Sequence, residues 1–216
     1  MSCYICGKEN YSVEHAPAKS FFPKGMREDL ITVYSCKEHN EDTSKDDEYV
    51  RNIITMYIDN NNTSFEHFEN KTLKSLSNSH ALHKKTIKNK QTVTLNGVET
   101  AALDIDRERF DTVMRKIAYA IFHHEYNKRW CRKLLVATDH LKTDDMKNDK
   151  IGSLVEEMKR IPVSFYKGQN PKVFQYAFLQ GAKDDFEEHC LKMKFYQGFE
   201  VIIFPHHEHT EPQLNT

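Results

Sequence analysis

A chain of 216 residues, 38% of them apolar and 13 of them Phe, is long enough to bury a sizeable core as one large domain or two small ones. Its net charge of -1 excludes a broadly basic nucleic-acid binder, so any such contact must rest on a local basic surface. No apolar run approaches the roughly 20 residues of a membrane span, and the start of the chain lacks a basic segment followed by an apolar one, which gives the expectation of a cytoplasmic protein without a membrane partner.

The first 48 residues carry most of the chemistry. Cys3-Tyr4-Ile5-Cys6 and Cys36-Lys37-Glu38-His39 form two short hooks in CxxC…CxxH spacing. Three thiolates and an imidazole at that spacing suit a closed, tetrahedral structural zinc site. A unit this small cannot supply enough core of its own, and the metal replaces what is missing. Tyr11 to His15 is expected as a strand delivering Glu14 and His15 at its end, and Ala16 to Arg27 as a loop whose Phe21 and Phe22 pack beneath it. Leu30 to Tyr34 alternates and predicts a second strand. A helical turn over Lys37 to Glu41 would face Asn40 toward His15.

A longer helix is expected over Asp46 to Ile58, with Ser44 and Asp47 as a capping-box variant and Tyr49, Ile53, Met56 and Tyr57 as its apolar stripe. Phe65, Phe68, Leu73 and Leu76 predict another helix. Ser77 to Lys90 is polar and basic and is expected as a linker or exposed loop. Thr92 to Leu95, Asn96-Gly97 and Val98 to Leu103 predict a hairpin with a tight turn. The strongest helical pattern follows: Phe110, Val113, Met114, Ile117, Ala118, Ile121 and Phe122, with Asp104 or Asp106 as cap. Thr138 to Asp149 is expected as a loop and Ile151 to Ile161 as a short helix. Val173 to Leu179, Cys190 to Tyr196 and Phe199 to Phe204 are expected as strands, and His206 to Thr216 as a tail. Cys131 and Cys190 are expected as reduced, buried thiols. The fold class is therefore α+β: residues 1–60 a zinc-stapled ββα unit, 61–90 a helix and basic linker, 91–205 an α+β region with antiparallel strands for binding or partner docking, and 206–216 a flexible tail.

Taken together, Val13-Glu14-His15-Ala16-Pro17, Asp29-Leu30-Ile31-Thr32-Val33, Cys36…His39-Asn40 and Ser44-Lys45-Asp46-Asp47-Glu48 resemble the HNH endonucleases, the ββα-metal nucleases, many of which are built on a zinc-bound treble clef. The resemblance covers the first quarter of the chain. It implies a metal-dependent phosphodiester hydrolase with His15 as general base, Glu14 and Asn40 as ligands of a catalytic Mg²⁺ or Mn²⁺, and Asp29 at a position where the family often has Asn. Asp29 would brace the site by accepting a hydrogen bond from His15 Nδ1. An imidazole suits the base, its ordinary pKa of about 6.5 lying near working pH, and hard oxygen ligands suit Mg²⁺.

DNA is the favoured substrate class over RNA. Lys84, Lys85, Lys88 and Lys90, with Lys128, Arg129, Arg132 and Lys133 around Trp130, are the candidate phosphate contacts. By analogy, a partner protein such as an ATPase would gate the nuclease in bacterial or phage restriction or antiviral defence. The alternative is a catalytically inactive zinc-finger module that binds nucleic acid or a partner protein. His123-His124-Glu125 and the His206, His207 and His209 tail are not expected to form metal sites.

Overall fold

The computed structural model describes residues 1–95, 97–139, 141, 156, 157, 160–163, 165–179 and 185–206. Near the N-terminus, β1 (Ser12–His15) pairs antiparallel with β2 (Thr32–Ser35), with His15 opposite Thr32. A short helix α1 (Lys37–Asn40) follows, then α2 (Ser44–Thr55), so the order strand, strand, helix is formed. Tyr49, Val50, Ile53 and Ile54 of α2 are buried at helical spacing. Its N-cap is Thr43, whose side chain makes no capping bond. The expected Ser44–Asp47 box is therefore absent, because Asp47 turns inward to an ion pair instead.

Next come α3 (Asn62–His67), a π-helical turn over Phe68–Thr72, and α4 (Leu73–Asn78). The expected linker is regular structure: α5 (His80–Thr86), then β3 (Lys88–Leu95), which pairs antiparallel with β4 (Val98–Asp104). Ser79 starts α5 by accepting a hydrogen bond from Leu82 N, a cap that polarity alone conceals. Of the predicted tight turn, Asn96 lies outside the described residues.

The long helix α6 (Arg107–Tyr126) is capped by Asp106, whose side chain accepts from Arg109 N, and it ends at Asn127 in the left-handed region. A four-stranded antiparallel sheet completes the fold: β5 (Leu134–Ala137), β6 (Phe174–Leu179), β7 (Cys190–Phe195) and β8 (Phe199–Pro205), in the order β5-β8-β7-β6. β5 was not expected from the sequence. Of the expected loop over 138–149 and helix over 151–161, only 138, 139, 141, 156, 157, 160 and 161 are described, with 156, 157 and 160 helical; positions 207–216 of the tail also lie outside the described residues.

One apolar core joins the halves. Phe21, Phe22, Tyr49 and Ile54 share it with Phe110, Ile117 and Ile121 of α6 and with Leu191, Phe195, Val201 and Ile203 of the sheet. It runs across the division expected at residue 60. Tyr196, just past β7, fastens the halves directly: its hydroxyl donates to Phe21 O at 2.5 Å and lies 2.6 Å from His67 Nδ1. Among the described residues, no helix is long and apolar enough to cross a membrane.

Candidate metal centre and motif residues

The turn after Cys3 brings Cys3 and Cys6 to one point, and the N-terminus of α1 brings Cys36 and His39 to the same point. The four ligand atoms all lie within 4.8 Å of one another. Cys6 Sγ is 3.8 Å from Cys36 Sγ, and His39 Nδ1 is 3.6 Å from Cys3 Sγ and 3.1 Å from Cys36 Sγ. Two thiolates about 2.3 Å from one ion at the tetrahedral angle would stand about 3.8 Å apart, so the donor set and its spacing fit zinc. Burial pushes the Cys3 thiol up, but the backbone N–H groups of Cys6, Cys36 and Ile5 outweigh it and bring the thiol from 9.0 down to about 6. The Cys36 thiol is pushed the other way, upward, chiefly by burial. Gly7, at φ +73°, closes the first hook; a Cβ there would stand 2.6 Å from Arg129 Nη1. An ion held by all four residues would have no open position left for a substrate.

Behind the hooks lies a buried polar chain that the sequence reading missed. Tyr4 OH donates to Glu14 Oε2 at 3.1 Å. Lys116 Nζ, on α6, stands 2.9 Å from Glu14 Oε1, 2.7 Å from Asp47 Oδ2 and 2.9 Å from Thr43 Oγ1. Glu14, Asp47 and Lys116 are all buried. Burial raises the Asp47 carboxyl from 3.8 to about 6; Lys116 pulls it down and Glu14 pushes it up. Asp47 therefore holds its proton to a higher pH than a solvated carboxyl does. A signal existed: Lys116 falls between Val113 and Ile117 in the apolar arc of α6, where a lysine needs a buried acid.

The motif residues are therefore divided. Adjacent residues of a strand point to opposite faces, and Glu14 takes the inner one. Both of its oxygens are engaged by Tyr4 and Lys116. His15, at the end of β1, is half-buried, and its Nδ1 is enclosed without a hydrogen-bond partner among the described residues. Burial, with a smaller contribution from Lys19, lowers its pKa below 6.5, so the imidazole is neutral at neutral pH. The expected Asp29–His15 hydrogen bond is not formed. Asp29 is exposed, sits at φ 51°, and lines a 540 Å³ cleft with Leu30, Ile31, Thr32 and Tyr176. Asn40 lies against β1, where its Nδ2 donates to Ser12 Oγ at 2.7 Å.

The basic candidates also separate. Lys84, Lys88 and Lys90 are exposed on α5 and β3, while the Lys85 side chain lies outside the described residues. Lys128, Arg129 and Lys133 are exposed. Arg132, by contrast, pairs with Glu187 at 3.3 Å and Glu188 at 2.9 Å. Trp130 is core: its ring stacks on Phe122 at 4.7 Å between centroids, and its Nε1 donates to Glu187 O. Cys131 is exposed rather than buried as expected, and Cys190 is intermediate; both are free thiols. Glu125 binds Tyr176 at 2.6 Å and also pairs with Lys167. Neither a family model, nor a curated protein, nor a solved structure matches the chain.

Proposed function

We propose that the chain is an HNH-type phosphodiester hydrolase, DNA being the favoured substrate, with His15 as its general base. The observation that carries the reading is the placement of His15 at the end of the first strand of a strand–strand–helix unit whose corner is a Cys/His cluster fit for zinc. Cys3, Cys6, Cys36 and His39 would hold the zinc and fix that hairpin. A neutral imidazole on the hairpin accepts the proton of an attacking water, and Asn40, anchored through Ser12, offers its Oδ1 beside the same strand. A divalent ion, when bound, neutralises charge on the scissile phosphate and leaving oxygen. The donors expected for it do not fit as they stand, because Glu14 is committed to Tyr4 and Lys116, and no step is derived through the ion.

Nicking of supercoiled plasmid in Mg²⁺ tests the reading. His15→Ala should lower the rate by roughly 10²–10⁴-fold while zinc content and fold persist. Equal nicking by wild type and His15→Ala would reject His15 as the base. The engagement of both Glu14 oxygens favours a second reading, a non-catalytic zinc module that binds nucleic acid or a partner protein. On that reading wild type binds DNA and leaves it uncut. A role in restriction or antiviral defence beside a gating ATPase is part of the first reading and is tested by co-purification with such a partner.

A further inference from the structure

A second cavity, of about 850 Å³, opens between the 23–27 loop and the helical segment 63–74, within the size range of small-molecule sites. Its wall carries Lys24, Arg27, Lys71 and Lys74 against the single carboxylate of Glu66, a net of +3 with His67 neutral, on a chain whose total is -1. Below it Arg51 is 1% exposed and stands 3.5 Å from Glu48, a carboxylate that is 40% exposed and also accepts from Ser75 Oγ. Positive charge is thus concentrated here beyond what nearby acids neutralise. Burial, then Arg51 and Arg27, bring Lys71 from 10.5 down to about 8, with Glu48 opposing them only in part.

A buried polar residue also forms part of the cavity wall. His67 is 4% exposed, lines the cavity, and its Nε2 is enclosed without a hydrogen bond among the described residues. The Tyr196 hydroxyl gives its one proton to Phe21 O, so His67 Nδ1 must be the donor to the Tyr196 oxygen, and Nε2 keeps its lone pair. The Nε2 atom itself is sealed from solvent, so the imidazole belongs to the cavity's rigid wall. The wall, with its excess of cations, therefore asks for an anion. The π-helical turn Phe68–Thr72 sets Asn70 and Lys71 on this wall, and such turns recur at functional sites.

We propose that this cavity binds a soluble nucleotide, its phosphates held by Arg27 and Lys71 and its sugar and base filling the rest of the volume. The inference is independent of the nuclease reading, since neither His15 nor the zinc ligands line the cavity. Titration calorimetry on the full chain with AMP, ATP, inorganic pyrophosphate, adenosine and a 5′-phosphorylated oligonucleotide tests it. ATP or AMP should bind saturably, one per chain, more tightly than pyrophosphate, and adenosine should not bind. Arg27→Gln and Lys71→Gln should each weaken nucleotide binding at least about tenfold, and Lys84→Gln with Lys88→Gln should leave it unchanged. If Lys71→Gln fails to fold, the exposed rim pair Lys24→Gln with Lys74→Gln gives the same readout through the salt dependence of binding. Absence of saturable nucleotide binding, equal binding by the variants, or binding of the oligonucleotide alone would overturn the proposal.

Discussion

The N-terminal hairpin and the C-terminal sheet are held by different physics. The sheet and α6 form an apolar core in which Phe195, Phe199, Val201, Ile203, Ile117 and Ile121 are all nearly or wholly inaccessible. The hairpin's own cluster is small: Cys3, Tyr4, Ala16, Val33 and Cys36 against Ala120. Beside that small cluster stand four residues placed to hold a metal ion and the buried Tyr4–Glu14–Lys116–Asp47 chain that ties the hairpin to α6. A small unit next to a large core need not fold on apolar burial alone, but it then depends on groups whose protonation and ligation vary with conditions.

Metal removal should break this comparison hardest. Structural zinc in small domains contributes apparent binding energies of about 10–16 kcal/mol near neutral pH. Chelation should therefore strip hydrogen-exchange protection from β1, β2 and α1 while the amides of β7 and β8 stay protected. Loss of protection throughout would mean that the hairpin and sheet form one cooperative unit.

Lys116→Met comes next. It leaves Glu14 and Asp47 buried around no cation, and breaking a buried pair costs about 3–5 kcal/mol. Urea denaturation should show that loss, and adding Glu14→Gln should recover part of it, because one uncompensated charge disappears. Full stability in Lys116→Met would show that the chain is not a fastening.

The third prediction is a slope against pH. The folded pKa of Asp47 is raised from 3.8 to about 6, so between those values the folded state holds a proton that the unfolded state has lost. Asp47 therefore lowers stability as pH rises through that window. His67 works in the opposite direction: burial, then Arg51 and Lys71, lower it to about 4, so its contribution is complete above 6.5 and is lost as pH falls toward 4. Asp47→Asn should remove the opposing slope, and stability should then climb more steeply from pH 4 to 6 than in wild type. Identical profiles for the two proteins would remove Asp47 as a titrating member of the chain. Smallest of all, Ile203→Val in the sheet should cost about 1 kcal/mol at any pH.

The same division explains what the sequence disclosed. Elements carried by apolar periodicity were legible within a few residues: α6, the paired strands β7 and β8, and the hairpin β1–β2. The Cys/His hooks were legible too, because ligation demands particular residues at short spacing. Concealed were the features made by polar groups meeting across the chain. Glu14 belongs to the motif by spacing, yet Lys116, roughly a hundred residues away, claims it. Trp130, the residue around which the basic phosphate-contact candidates lie in sequence, is packed on Phe122. The stretch 77–90 looked like a linker because its helix is started by the Ser79 side chain rather than by an apolar face. The cationic cavity went unseen because the 23–27 loop and the 63–74 segment meet only in three dimensions.

The clasp made by Tyr196 has a consequence in time. Its hydroxyl meets a carbonyl 175 residues earlier and an imidazole 129 residues earlier. At about 5–20 residues per second, a ribosome needs roughly ten to thirty seconds to travel from Phe21 to Tyr196. Through that interval the loop behind the Cys/His hooks lacks this anchor, and the phenyl rings of Phe21 and Phe22 lack the sheet residues that later cover them. A nascent chain arrested before the last two strands should display those rings to chaperones and proteases, even with its hooks already closed.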